Sequence, residues 1–334
     1  MAVSGISLPP NRVLNLHEAK VCSNSKVLTP HADEIETTDA VSSNAVIPDN
    51  ANRRLRRVAR FVVVKAAAAQ GQAVSLPSVA THIQRALLPL QLATLGSINV
   101  DALWFRAGSE SDGISAGLDQ PALEFTGEQH FVALSEDGCA AIETSLPWLL
   151  YSDSIAAPLD RFLAASMEPN RIEASLRFLV AMETLVDPGG GHQRNRSARV
   201  SRRIAAAASA NVDEARAFRK LVDQAYKYRP AVWHGEGDAA LVDEAGTWLS
   251  SHYRDLRVVT SLGFQRAIGN TRHRQRIPWA ELMADVDAGG PTAIGYLARL
   301  PRLYVREHQV VHLLDFRDFT AVGGGSFQII TDDS

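Results

Sequence analysis

The sequence is poor in cysteine, in long apolar runs and in net charge, and each shortage excludes a class of protein. Two cysteines, Cys22 and Cys139, are too few for the disulfide framework of a small secreted domain, and they fit a reducing cytosol. No apolar run reaches the length of a membrane span, and residues 1–10 lack the basic and then apolar pattern of a signal peptide. We therefore expect a cytoplasmic protein that does not associate with a membrane.

The net charge of −3 gives the whole chain no general affinity for nucleic acid, so any such binding has to come from local basic patches. The 334 residues leave room for about two domains. A hydrophobic content of 46% and a charged content of 21% are ordinary for a soluble protein with a packed core.

The pattern along the chain predicts an N-terminal α+β domain between a polar arm and a helical region. Residues 1–50 are polar, which predicts a loosely ordered arm, although the apolar residues 13–16 could add a strand. Residues 51–155 combine a β-branched run at 61–66 with helical and further strand-like patterns, so we expect a small α+β domain there. Residues 291–334 are expected to form a C-terminal extension with a mobile tail.

Residues 156–290 have helical periodicity and predict an all-α bundle. Its helices are expected over residues 170–186, 196–208, 212–229, 238–268 and 277–288. Asn170 is expected to cap the first of these helices, and the long one could be interrupted near Gly246 or Gly263. Glu183 lies on the apolar face above Ile172, where a carboxylate is costly unless it has a partner.

The most informative segment ends the third of these helices, where Arg229 and His234 stand five positions apart and Gly235 follows. Arginine is a permanent cation suited to phosphate, and histidine exchanges protons near neutral pH. On an unbroken helix the two side chains would diverge by roughly 140°. Pro230 disfavours helical geometry at Arg229, so we expect the helix to end there and to let both side chains share a site. The alternative is that both side chains only complement the dipole at a helix C-terminus.

This spacing of Arg229 and His234-Gly235 resembles the R-x4-H signature of the HEPN superfamily, and the tyrosine-rich run before it fits the Apea-like branch best. A second block, residues 175–185, resembles the first core helix of that branch, with Glu183 as its acidic residue. The resemblance covers roughly residues 158–290. It implies that the helical part is an Apea-like HEPN bundle.

The resemblance also implies a metal-independent endoribonuclease, of the kind that serves as a toxin in toxin–antitoxin systems or as an effector of antiphage defence. His234 would transfer the proton, Arg229 would neutralise charge on the phosphorane, and Glu183 would pair with Arg229. The product would carry a 2′,3′-cyclic phosphate, with no metal or other cofactor needed. The family pairs two bundles at one cleft, and the chain holds one good copy of the motif, so a homodimer is implied.

Two further sets of side chains are expected to bind RNA. Aromatic and cationic residues alternate around the motif and could stack a base; they are Tyr226, Lys227, Tyr228 and Trp233. An arginine run without an acidic residue could wrap a phosphate backbone; it consists of Arg194, Arg196, Arg199, Arg202 and Arg203. The alternatives are that the aromatic residues belong partly to the core and that the arginine run is a solvated helix face.

Position 230 favours a second interpretation of the same bundle. The HEPN family usually has a polar residue after the arginine, where this sequence has Pro230. That departure favours a non-catalytic HEPN module that binds RNA, a nucleotide or a regulatory protein partner.

Overall fold

The computed structural model describes the helical part of the chain almost throughout and the N-terminal part in short segments. The described residues are 2–4, 6–9, 12–16, 19–22, 60–64, 87–94, 99–102, 132–145, 155–188, 196–272, 277–289, 291–300, 302–306 and 309–311. The chain forms two compact units, Met1–Leu149 with Val305–Val310 and Leu150–Tyr304 with Val311–Ser334. None of the described helices is long and apolar enough to cross a membrane.

The described segments of the first unit are short strands and two helices. They are β1 (Ala2–Ser4), β2 (Ile6–Ser7), β3 (Val13–Asn15), β4 (Ala19–Cys22), β5 (Arg60–Val64), α1 (Leu88–Ala93), β6 (Asn99–Ala102), β7 (Val132–Ala133) and α2 (Glu136–Ser145). Antiparallel pairing gives a sheet of order β3-β4-β5-β1-β6, and β2 pairs with β7 in parallel. The strand predicted from the β-branched run is confirmed as β5, while the α+β domain over residues 51–155 stays a prediction.

The polar arm differs from its prediction, because four strands lie within its first 22 residues. Residues 23–50 of the arm lie outside the described part. Arg12 beside β3 binds Glu143 of α2 through Nη2 at 2.7 Å, near the buried Cys139. Burial raises the pKa of the Cys139 thiol to about 11, against the hydrogen bond from Arg12. This thiol therefore stays protonated at neutral pH and is a poor nucleophile.

The second unit is a helical bundle, as predicted for residues 156–290. Its helices are α3 (Ala156–Ser166), α4 (Arg171–Val186), α5 (Arg196–Ala208), α6 (Val212–His234), α7 (Ala239–Ser251), α8 (Tyr253–Arg272), α9 (Trp279–Asp287) and α10 (Pro291–Ala298). Helix α4 packs against α3, α7 and α8, and α6 packs against α5 and α7. The Phe162 ring lies 5.7 Å from Phe178 and 5.3 Å from Phe264 in the core between α3, α4 and α8.

The start of α4 is set by its predicted cap. The Asn170 side chain accepts hydrogen bonds from the backbone N–H groups of Ile172 and Glu173, which confirms this N-cap. The long helix predicted over 238–268 is instead two helices, and the break falls at His252 rather than at either glycine. Gly263 serves close packing, because a Cβ there would come within 2.6 Å of the Met182 side chain.

The C-terminal boundary of the bundle lies beyond the predicted residue 290. The side chains of Leu297, Leu300 and Leu303 are buried, so the start of the expected extension belongs to the core. Gln265 of α8 fixes this segment by bonding both the N–H and the carbonyl of Leu303, at 2.6 and 2.7 Å. Two strands follow, which are β8 (Tyr304–Arg306) and β9 (Gln309–Val311). The predicted mobile tail lies outside the described residues.

Helix α6 does not end at Arg229, contrary to the prediction. It continues through Pro230 to His234 and ends at Gly235, whose N–H donates to the Pro230 carbonyl. The apolar stripe of the helix continues across the proline, because Tyr228 and Ala231 are both buried. Packing of this stripe on the bundle therefore outweighs the local cost of an internal proline.

Replacing Gly235 by alanine is expected to lower the free energy of unfolding by about 1 kcal/mol, because a side chain is strained at positive φ. Gly235 has φ of 65°, and a Cβ there would meet nothing within 4 Å, so the cost is purely conformational. Gly295→Ala is the matched control, since it is equally open but lies inside α10. That change should stabilise the fold by about 0.5–1 kcal/mol. Urea denaturation that shows the same sign for both variants would contradict this account.

Candidate functional site

Glu183 and Arg229 form an ion pair between α4 and α6, as their positions predicted. Arg229 Nη1 donates to Glu183 Oε2 at 2.9 Å, and the two side chains are 25% and 13% exposed. The pair is mostly shielded from water, so breaking it would leave a poorly solvated charge. The contact is confirmed, whereas the catalytic role of both residues stays a prediction.

The Glu183 carboxylate is shared by more than one cation. Its second oxygen, Oε1, forms an ion pair with Arg196 Nη2 at 2.8 Å. The Tyr226 hydroxyl lies 3.5 Å from Glu183 Oε2 as a weaker donor. Burial above all, and then the negative charge of Glu183, raise the pKa of Tyr226, while Arg229 and Arg196 oppose this rise. The phenol therefore stays protonated and can donate.

Two aromatic rings lie beside the guanidinium group of Arg229. Its guanidinium carbon lies 4.5 Å from the centre of the Trp233 ring and 5.9 Å from that of Tyr226. The Trp233 indole N–H points to Glu173 of α4 at 3.4 Å. Within the described part of the chain, Nη1 is the one nitrogen of Arg229 that has a hydrogen-bond partner. The remaining N–H donors are therefore available to an anion.

His234 does not share this site within one chain, contrary to the expectation. It is the exposed last residue of the uninterrupted α6. Because the helix turns by about 100° per residue, His234 points roughly 140° away from Arg229 around the axis. The side chains of Arg229 and His234 could converge only if the helix broke at Pro230. The helix stays intact because Ala231, beyond the proline, is buried against the bundle.

The predicted RNA-binding arginines are mostly engaged in ion pairs. Asp187, just after α4, accepts from Arg196 at 3.1 Å, from Arg199 at 3.0 Å and from Arg203 at 3.1 Å. Burial alone would raise the pKa of Asp187, but the hydrogen bonds from Arg196 and Arg199 hold this pKa below its usual value. Arg203 also binds Asp287 of α9 at 2.7 Å.

Three arginines of the run are therefore paired with a carboxylate, and RNA binding by the run stays a prediction. The run contains no acid of its own, but α4 and α9 supply the acids, which no local window of sequence can show. Arg202 is the exposed member, with Nη1 at 3.2 Å from the Asp287 carbonyl. Arg194 lies outside the described residues.

Tyr228 belongs to the core rather than to a base-stacking surface. Its side chain is 4% exposed, its ring lies 5.5 Å from that of Trp248, and its hydroxyl donates to Glu244 of α7. That hydrogen bond is the main cause of a raised pKa for Tyr228. Periodicity could have found this, because Tyr228 lies seven residues after the buried Leu221. Lys227 is exposed beside it, with Nζ 5.7 Å from the Tyr228 ring centre.

Sequence reasoning missed two buried polar groups in the bundle. Glu214 of α6 forms an ion pair with Arg302, which lies 88 residues away, and both side chains are almost fully buried. Asp255, in the first turn of α8, is 7% exposed, and burial raises its pKa to about 7 against the influence of Arg254. Neither group carries a local signal, because the burial of each depends on distant packing.

Asp255 is expected to make stability fall as the pH rises. The folded protein keeps the Asp255 proton up to about pH 7, whereas the unfolded chain loses it near pH 4, so the stabilising contribution present in acid is lost across that window. From pH 5 to pH 8 the free energy of unfolding should drop by about 2–3 kcal/mol through this group. Asp255→Asn should remove the drop and be the more stable variant at pH 8. Urea titrations with identical pH slopes for both proteins would refute this.

No protein-family model matches the chain, and comparisons with curated proteins and with solved structures find no match. The described residues hold no group of three or more His, Cys, Asp or Glu side chains arranged to bind a metal. The fold and site thus define a helical-bundle protein with a cluster of arginine, carboxylate and aromatic groups between α4, α5 and α6. Such a cluster can bind an anion, and an exposed histidine lies on the same helix as its central arginine.

Proposed function

We propose that this bundle is a metal-independent endoribonuclease of the HEPN type, whose active site is completed by a second copy of the chain. The observation that carries the proposal is the setting of Arg229. Glu183 holds it through one nitrogen, Trp233 supports its guanidinium face, and further N–H donors remain for a phosphate. His234 follows on the same helix and is exposed to solvent.

The chemistry needs a cation that binds the phosphate and a group that transfers protons. A neutral His234 takes the proton from a ribose 2′-hydroxyl, and the 2′-oxygen then attacks the neighbouring phosphorus. Arg229 stabilises the negative charge that grows on the phosphorane oxygens. His234 then returns this proton to the departing 5′-oxygen, which leaves a 2′,3′-cyclic phosphate. The attacking group is already held near the phosphorus, so this route needs no metal.

The uninterrupted α6 supports a site shared between two copies. Arg229 and His234 of one chain point roughly 140° apart, so one phosphate cannot easily contact both. A homodimer resolves this divergence, because each copy can present His234 to the Arg229 of its partner.

The direct test is cleavage of single-stranded RNA by the purified chain in excess EDTA. We expect products with 2′,3′-cyclic phosphate and 5′-hydroxyl ends, and RNA with 2′-O-methyl groups should resist cleavage because it lacks the nucleophile. Sedimentation in the same buffer should show a dimer at micromolar concentration. Cleavage that depends on magnesium would exclude the mechanism, and an active monomer would exclude the shared site.

A role as a toxin or antiphage effector would follow from this activity. Expression of the chain in a bacterial host should arrest growth, and expression of the His234→Ala variant at the same level should not. Equal toxicity of both proteins would separate any growth effect from RNA cleavage.

The same helix geometry also favours a second function, a non-catalytic HEPN module that binds RNA, a nucleotide or a protein partner. Arg229 and its aromatic neighbours can hold a phosphate without any proton transfer, and continuity through Pro230 keeps His234 out of that contact. Binding of RNA without cleavage over pH 5 to 9, by a chain shown to be dimeric, would establish this alternative over the nuclease.

A further inference from the structure

Two arginines from different helices meet on one carboxylate. Arg196 is the first residue of α5 and forms an ion pair with Glu183 Oε1, while Arg229 of α6 donates a hydrogen bond to Glu183 Oε2. The two oxygens belong to one carboxylate, so the two guanidinium groups lie close together. Their side chains are 32% and 25% exposed, which leaves both within reach of a ligand from solvent.

Both arginines retain hydrogen-bonding capacity beyond these contacts. Each guanidinium has five N–H donors. In the described part of the chain, Arg229 uses Nη1 alone, and Arg196 uses Nη2 for Glu183 and Nε for Asp187. Nη1 of Arg196 and both Nε and Nη2 of Arg229 remain for a further acceptor.

The surroundings of this pair are positively charged. Among the described residues, ion pairs and a hydrogen bond connect five arginines and three carboxylates into a network with an excess of two positive charges. Its members are Arg196, Arg199, Arg202, Arg203, Arg229, Glu183, Asp187 and Asp287. Arg199 and Arg203 are the less exposed cations, at 22% and 13%, and each binds Asp187. Arg202 is the most exposed cation of the network, and Arg196 and Arg229 are the partly exposed cations that share one carboxylate.

We propose that Arg196 and Arg229 together form a binding site for the backbone phosphates of single-stranded RNA. The proposal rests on the proposed function, and it adds Arg196 as a second phosphate-binding residue from another helix. Glu183 lies between the two cations and competes with phosphate for them, while Asp187 positions Arg196 and the Trp233 ring positions Arg229. Arginine suits this role because its planar fork pairs with phosphate oxygens through two bonds.

Binding of an uncleavable probe tests the site without any catalysis. The probe is a 2′-O-methyl RNA of about ten nucleotides, titrated by fluorescence anisotropy at several salt concentrations. Arg196→Ala and Arg229→Ala should each weaken binding roughly tenfold and reduce the slope of log affinity against log salt by about 0.7. Arg216→Ala is the matched control, because it removes an exposed arginine of α6 that pairs with Asp213 instead. Unchanged affinity and slope for Arg196→Ala would overturn the site.

The Glu183→Gln variant tests whether Arg196 binds the phosphate directly or only supports the fold. This change keeps the shape of the side chain but removes the competing negative charge, so the probe should bind several-fold tighter and with a steeper salt slope. If Arg196 only supports the fold, Glu183→Gln should weaken binding as Arg196→Ala does. Thermal unfolding of each variant by circular dichroism shows whether the helices are intact at the temperature of the titration.

Parallel assays distinguish this inference from the proposed nuclease. Cleavage of RNA in EDTA, together with normal probe binding by Arg196→Ala, would overturn the two-arginine site and leave the nuclease in place. Lost binding in Arg196→Ala without cleavage by the unmodified chain would support the site and overturn the nuclease. Tighter binding of adenosine diphosphate than of the probe would overturn the assignment to an RNA backbone, because the site would then prefer a free nucleotide.

Discussion

Glu214→Gln is expected to lower the free energy of unfolding by about 3–5 kcal/mol, because it removes the negative partner of buried cations. Glu214 binds Arg302 through two bonds of 2.7 and 3.1 Å, and the two side chains are 0% and 5% exposed. The fully buried Arg266 also interacts with this carboxylate. Without the negative charge of Glu214, the buried Arg302 would lose the carboxylate that accepts its two hydrogen bonds, and Arg266 would lose a stabilising negative charge.

The reverse change should cost less. Arg302→Met leaves Glu214 buried, but Arg266 stays close enough to balance its charge. Burial above all, and then Arg302, lower the pKa of Arg266 to about 9 against the influence of Glu214. Removing Arg302 therefore takes a repulsive partner away from Arg266. Urea denaturation at pH 7 measures both variants, and a larger loss for Arg302→Met than for Glu214→Gln would contradict this picture.

This pair also explains why the bundle boundary differs from the predicted one. Arg302 lies beyond residue 290, where the sequence turns from helical periodicity to an extended pattern. Arg302 binds Glu214 in the first turn of α6, and Gln265 forms two hydrogen bonds with the Leu303 backbone. These contacts attach the segment to the core. Neither contact is local in sequence, so periodicity could not reveal it.

The features that could be predicted were those with local causes. Asn170 caps α4 through its own side chain, and the apolar spacing of residues 196–208 gives α5 its observed bounds. The contact between Glu183 and Arg229 followed from a simple requirement, since a carboxylate on an apolar face needs a cation nearby. Such inferences need no knowledge of distant packing.

The features that could not be predicted depend on competition between local and tertiary forces. Pro230 is unfavourable inside a helix, yet burial of Tyr228 and Ala231 on either side keeps α6 intact. Asp187 gathers three arginines, although an arginine run without acids resembles an open basic surface. In both cases packing against other parts of the bundle decides the outcome.

His234→Ala is expected to slow RNA cleavage by a factor of roughly 10²–10⁴, because it removes the proton carrier. Binding of the 2′-O-methyl probe should be nearly unchanged, since His234 is exposed and lies off the arginine pair. Arg229→Lys should lose most activity as well as affinity, because a point charge cannot replace a planar group that is bonded to Glu183 and stacked on Trp233. Glu236→Ala, which changes an exposed neighbour, is the control and should cleave normally.

Mixing the two inactive variants decides whether the site is shared between copies. In a symmetric dimer that pairs Arg229 of one copy with His234 of the other, a mixed dimer of Arg229→Ala and His234→Ala keeps one intact site. Random mixing makes half of the dimers mixed, and each of these keeps one of two sites, so about a quarter of the normal activity should return. A site built within one chain would stay inactive in the mixture. Every chain would then lack either Arg229, which binds the phosphate, or His234, which transfers the proton. Recovery on mixing would thus show that the divergence imposed by an unbroken α6 is resolved by dimerisation.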